Sequence, residues 1–204
     1  MIGIQGGSPF DEPVNILKSS DPAVVAEKAA VTWEATGAKE GHFIVPVING
    51  TVLVDFPDIA VRSSDDLETF PIKLLTLIYL SNTDGTPPSG SWAAYREFSG
   101  GRFYEPVVKR TVEDTLASAF GSDLDAFSDA AESLKGTARE FGDAAYSFSL
   151  FPRVPICFII WRSDEEFPAR ASVLFDSNCH HHLSTFDLRM GAQEISGRLI
   201  GRRK

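Results

Sequence analysis

The sequence predicts an α+β fold, with helices packed on an antiparallel or mixed sheet of about five to six strands and one helix buried at the centre. Three observations predict it. Apolar residues recur at helical spacing in several well-separated stretches. Alternating or continuously apolar β-rich runs occur in pairs joined by short turns. These helical and strand stretches come in blocks rather than in strict alternation, which disfavours a parallel α/β sheet.

The elements follow in order. Residues 1–20 carry no strong signal and are expected to form a loosely attached tail, leaving 21–204 as a single domain. Asp21-Pro22 is a capping acceptor followed by a proline at the first helical position, and Val25, Ala29, Thr32 and Trp33 share one face up to Gly37. Phe43 to Ile48 and Thr51 to Phe56 are β-rich runs around Asn49-Gly50, a strong two-residue hairpin signal. The run from Pro71 to Leu80 is apolar on nearly every side, as a central buried helix must be. Tyr104, Val108, Thr111, Val112, Thr115 and Ala119 keep helical spacing before Gly121.

Ser122 with Asp125 resembles a capping box ahead of Leu124, Phe127, Ala131 and Leu134. Tyr146, Phe148 and Leu150 then alternate with serines, as a half-buried strand does. Val154 to Trp161 is continuously apolar and reads as a central strand buried on both faces. A polar turn from Ser163 to Pro168 leads to a third strand, Ala171 to Phe175. Ser184 with Asp187 caps the closing helix, in which Leu188, Ala192, Ile195 and Leu199 recur.

Composition narrows the function classes. The 204 residues carry 28 acidic and 19 basic side chains, a formal charge of -9, which gives no broad footprint for nucleic acid or an anionic membrane. The basic cluster at Arg198 and Arg202-Arg203-Lys204 suits the last turn of a helix. No stretch approaches the roughly 20 apolar residues of a membrane span, and a soluble cytoplasmic protein is expected. Cys157 lies in an apolar run, as an inert buried thiol would, and with Cys179 it makes neither a disulfide framework nor a CxxC pair.

The stretch from Asp84 to Tyr104 separates two helices and is too long and too rich in aromatic and charged residues for a connector. It divides into a turn up to Ser89, a strand from Ser91 to Phe98, and a Gly100-Gly101-Arg102 entry to the next helix. Free backbone N–H groups, the positive helix end and a guanidinium would converge there on a phosphate or carboxylate. Asp84, Trp92, Arg96, Gly100, Gly101, Arg102 and Tyr104 are therefore the candidate ligand-binding residues. The plainer alternative is a glycine turn into a helix, preceded by aromatics that belong to the core.

The words from Pro71 to Leu80, Asp84-Gly-Thr-Pro87, Gly90-Ser-Trp92, Arg96-Glu97, Gly100 to Tyr104, Phe151-Pro-Arg-Val-Pro155 and Asp164 to Pro168 together resemble an uncharacterised bacterial and archaeal family. That family carries only a domain-of-unknown-function label. The resemblance runs over about residues 20 to 200. It implies a setting in anaerobes, where some members carry an added iron–sulfur domain of the corrinoid-protein type, and hence a redox or corrinoid-associated protein as a partner. This chain lacks the cysteines for that addition. Where the family shows a tyrosine-proline pattern before its last helix, this chain reads Cys179-His180-His181-His182.

If that run is extended, His180 and His182 share a face and could begin a zinc site completed by Asp176, Asp187 or a distant carboxylate. Asp164, Glu165 and Glu166 read as a solvated turn, since consecutive carboxylates seldom face each other. Neither a Walker motif, GxGxxG nor GxSxG is present. Three functional readings result: an accessory binding domain for a small anionic ligand, cofactor or redox partner; a metal-dependent enzyme with Glu166 or Asp187 as base; and a structural subunit that buries 84–104 against a partner.

Overall fold

A computed structural model describes residues 7–63 and 65–203, with only the backbone of Asp65. It is α+β, but the strands divide between two antiparallel sheets rather than forming one. In the first, β1 (Thr32–Ala35), β2 (Gly41–Val47), β3 (Gly50–Phe56) and β4 (Val61–Ser63) follow in sequence order. In the second, β5 (Trp92–Ala94), β6 (Thr137–Ala138), β7 (Ala144–Phe151), β8 (Val154–Trp161) and β9 (Arg170–Asp176) lie in the order β5-β9-β8-β7-β6. The sheets meet where Ile48 N–H donates to the carbonyls of Ser149 and Leu150, at 3.1 and 3.3 Å, beside an irregularity in β7.

That junction moves the predicted hairpin turn by one residue. Val47 pairs with Gly50, so Ile48 and Asn49 form the turn, with Ile48 at φ 54°. Gly50 belongs to the strand, where an added Cβ would stand 2.8 Å from Leu67. The helix begun by Asp21, α2 (Pro22–Ala29), also stops earlier than its spacing suggests. Ala30 turns left-handed at φ 53°, and Thr32 and Trp33 pair with the β2 edge instead.

The predicted tail contains α1 (Asp11–Ser19), whose Leu17 is buried in the core. Phe10 meets Phe70 edge to face at 5.3 Å. The remainder of that expected tail, residues 1–6, lies outside the described residues, as does Lys204 of the basic cluster.

The central helix α3 (Phe70–Asn82) is buried on several sides, capped by the Thr69 hydroxyl. Its Tyr79 stacks on Phe151 with centroids 4.5 Å apart and donates to the Ala29 carbonyl at 2.6 Å, tying α3 to both β7 and α2. The next helix runs from α4 (Gly101–Val108) through a π-helical stretch, Lys109–Glu113, into α5 (Asp114–Phe120). Asp123, rather than Ser122, caps α6 (Leu124–Ser133) by accepting from Ala126 N–H at 3.0 Å. The closing helix α7 (Thr185–Gly201) has the expected Ser184–Asp187 capping box. Helices α5, α6 and α7 pack on one face of the five-stranded sheet, so Ile156, Phe158 and Ile160 of β8 enter the main core. Cys157 and Ile159 face the other side, in a smaller cluster with Ala145, Trp92, Trp161 and Leu174.

Candidate functional site

The predicted strand from Ser91 to Phe98 lasts only three residues. Beyond Ala94, the Glu97 carboxylate accepts the Ala94 N–H at 2.8 Å and Phe98 N–H returns to Tyr95 O, closing a 3-10 turn over Tyr95–Glu97. This turn delivers the chain to Ser99 and Gly100. Gly100 holds φ 74°, a left-handed conformation that favours glycine. Gly101 is needed for another reason: an added Cβ would lie 2.0 Å from the Tyr95 carbonyl oxygen, so α4 starts pressed against the turn before it. No side chain caps α4. Gly101 and Phe103 N–H groups are satisfied locally, and the Arg102 N–H has no acceptor among the described residues.

The Cys179-to-His182 run forms a 3-10 turn over Cys179–His181 instead of an extended segment. His180 and His182 therefore do not share a face. His180 is exposed and its Nδ1 donates to the Ser177 carbonyl at 2.8 Å, which leaves Nε2 without the proton in the neutral ring. His181 Nδ1 donates to Asp84 Oδ2 at 2.7 Å. His182 is 1% exposed, with Nδ1 2.7 Å from Thr83 Oγ1.

The expected metal ligands fail on geometry. Asp176 is buried and accepts from Ser89, Gly90 and Asn178 N–H groups, and Asp187 is taken up by the α7 capping box. No group of three or more His, Cys, Asp or Glu residues suited to one metal ion occurs among the described residues. Glu166, the other expected base, lies on the exposed β8–β9 turn, where Asp164 accepts its N–H at 2.8 Å.

The two segments nevertheless meet in a cleft of about 830 Å³. One wall is Phe98, Ser99, Gly100 and Tyr104; the other is Ser177, His180, Leu183 and the start of α7. Hydrogen bonds join the walls at the base: Thr185 Oγ1 donates to Ser99 O at 2.8 Å, and Tyr95 OH donates to Thr185 O at 2.9 Å. Tyr104 and Phe186 stand at the rim, 53% and 52% exposed. The cleft thus combines aromatic walls with an open imidazole nitrogen and lies beside an uncapped helix start.

The seven ligand-binding candidates separate. Gly100 and Tyr104 line the cleft, with Gly101 packed behind it. Arg96 and Arg102 line an adjoining hollow that shares Glu97, Phe98 and Gly100 with the cleft, and Arg96 pairs with Glu105 at 3.2 Å. Trp92 is on the opposite face of β5 from the cleft-lining Ala93, with the Arg139 guanidinium 5.9 Å from its ring centroid. Asp84 is engaged with His181 and with Thr86 N–H; those bonds hold its carboxyl well below the usual range, the Thr86 contribution being the larger. The α7 side, Thr185 and Phe186, was missed, because its residues serve the helix cap in sequence and meet the cleft only through the tertiary fold.

Fold and site together define an α+β protein with a surface cleft between the starts of two helices. The sequence model of a family described as Domain of unknown function (DUF3786) matches residues 21–197, and the chain belongs to that family. No match was found among curated proteins or solved structures. No helix among the described residues is long and apolar enough to cross a membrane.

Proposed function

We propose that the protein is an accessory binding domain whose cleft holds a small ligand with a flat apolar body and an anionic group. The observation that carries this reading is the convergence of Ser99–Tyr104 and Ser177–Phe186, far apart in sequence, on one cleft with an open imidazole nitrogen. The apolar body would lie among Phe98, Tyr104 and Phe186. The anionic group would meet the uncapped start of α4, with Arg102 supplying charge from the adjoining hollow. A cofactor or the contact group of a redox partner has this character, and the resemblance to proteins of anaerobes with iron–sulfur and corrinoid modules favours such a setting.

Thermal melts with benzoate or inorganic phosphate test the proposal, with His180→Ala and Arg102→Ala as the cleft and charge variants. Ligand at about a hundred times Kd stabilises by about 2.7 kcal/mol, or roughly 5–10 °C for a chain of this size. Wild type should show that rise with benzoate, and each variant should lose most of it. Equal shifts in wild type and both variants would place binding elsewhere.

A further inference from the structure

We propose that the strap Thr83–Ser91 and the adjacent histidine turn form a latch released by acid, with His182 as its trigger. The strap connects α3 to β5 and is held to the histidine turn and to the end of β9 by a series of hydrogen bonds. Among these are Asp84 on His181, the Pro87 carbonyl on Asn178 Nδ2 at 3.0 Å, Asp176 on the Ser89 and Gly90 N–H groups at 2.9 and 2.7 Å, and the Ser177 N–H on the Ser91 carbonyl at 2.9 Å. His182 sits beneath, edge to face with Tyr79 at 6.1 Å.

Its hydrogen bonds run in one direction: Nδ1–H to Thr83 Oγ1, and the Thr83 hydroxyl on to the Lys28 carbonyl at 3.4 Å. Nε2 is buried without a hydrogen-bond partner, which a bare lone pair tolerates. A protonated ring presents a second N–H and a full charge in the same place. The Thr86 carbonyl lies close enough to favour that N–H, but the charge stays buried while the latch is closed.

The groups around the ring do not rescue it. From the turn come Cys179, His180 and His181, from the strap Asp84 and the Thr86 carbonyl, from α3 Tyr79, and from the β7–β8 turn Arg153, whose Nε donates to the Lys28 carbonyl. Asp84 and Thr86 favour the proton, whereas Arg153 and His181 oppose it. Burial outweighs them and holds His182 below its ordinary 6.5.

The sign follows. Above pH 6.5 the closed and released states are both neutral at His182 and the latch keeps its full stability. Below 6.5 the released state takes the proton more readily than the closed one, so closure weakens as the pH falls, by at most about tenfold per pH unit, and levels off below the closed state's own lower pKa. Asp84 acts in a different window: its stabilisation is present above the ordinary 3.8 and is lost only below it. Release would also loosen the His180–Leu183 wall of the cleft, a consequence that rests on the proposed binding role. The latch itself does not, and can fail while ligand binding stands.

Hydrogen exchange of the 83–91 and 179–184 peptides at pH 7.5 and 5.0, corrected for intrinsic rates, tests the latch. Wild type should lose protection there at pH 5.0, by at most about thirtyfold, while α3 keeps its own. His182→Asn retains a partner for Thr83 without a titrating ring, so its protection should be independent of pH. His181→Gln weakens an anchor but keeps the trigger, so its protection should still fall between pH 7.5 and 5.0. Unchanged protection in wild type, or an acid response retained in His182→Asn, overturns the latch. The His182 ring, titrated by NMR in wild type, gives a second reading: a midpoint below 6.5 supports it, and one at or above 6.5 contradicts it.

Discussion

Gly100 and Gly101 are adjacent but serve different physical ends, and substituting each by alanine separates them. At Gly101 the new methyl would sit 2.0 Å from the Tyr95 carbonyl oxygen and 3.0 Å from its carbon, so relief needs a backbone shift of more than an ångström. Overpacking of this kind costs about 1–3 kcal/mol, and a clash with backbone rather than a flexible side chain belongs at the upper end. At Gly100 nothing lies within 4 Å of the added methyl, and the cost is the left-handed φ of 74° alone. That is about 1–2 kcal/mol, offset by roughly 0.4–1 kcal/mol from a stiffer unfolded chain. Gly101→Ala should therefore lose about 3 kcal/mol and Gly100→Ala about 1 in urea unfolding, with Tm falling by roughly 6–12 °C and 2–4 °C respectively. A Gly101→Ala variant as stable as wild type, or a larger loss at Gly100, would refute the close approach of α4 to Tyr95.

Other outcomes follow from the core. Tyr79→Phe keeps the stack on Phe151 but leaves the Ala29 carbonyl without its buried donor, and should cost about 1–3 kcal/mol in urea unfolding with no change in slope. Burial pushes the Cys157 thiol up to about 12 and also raises that of Cys179. Both should ignore a thiol-specific disulfide reagent at pH 8 in the native protein and react fully in denaturant; fast native labelling would contradict their burial.

Much of the fold was legible because local signals and tertiary packing agree. The Ser184–Asp187 box, the apolar central helix and the continuously apolar β8 appear as their residues imply. Where sequence reading erred, a distant partner decided. Ile48 is drawn to β7, which displaces the turn from Asn49-Gly50, and the β2 edge takes Thr32 and Trp33 away from the helix. Leu17 finds a core that a weak local pattern did not announce.

The site was legible in half. The Gly100–Tyr104 entry was visible from its glycines and charge; of it, Gly100 and Tyr104 line the cleft, while Gly101 packs behind it and Arg102 lines the adjoining hollow. The facing wall was misjudged, because three consecutive histidines carry no signal of whether their backbone is extended or coiled. Coiling sends one ring to the cleft, one to Asp84 and one into the core.

If the cleft holds a small ligand, the protein should carry it out of the cell. Native mass spectrometry of untagged protein, purified without added small molecules from its own host, tests it most directly against a Tyr104→Ala/His180→Ala variant made the same way. The wild-type protein should carry a discrete noncovalent mass that is absent from the variant. A bare wild-type mass, or the same added mass on both proteins, would contradict it.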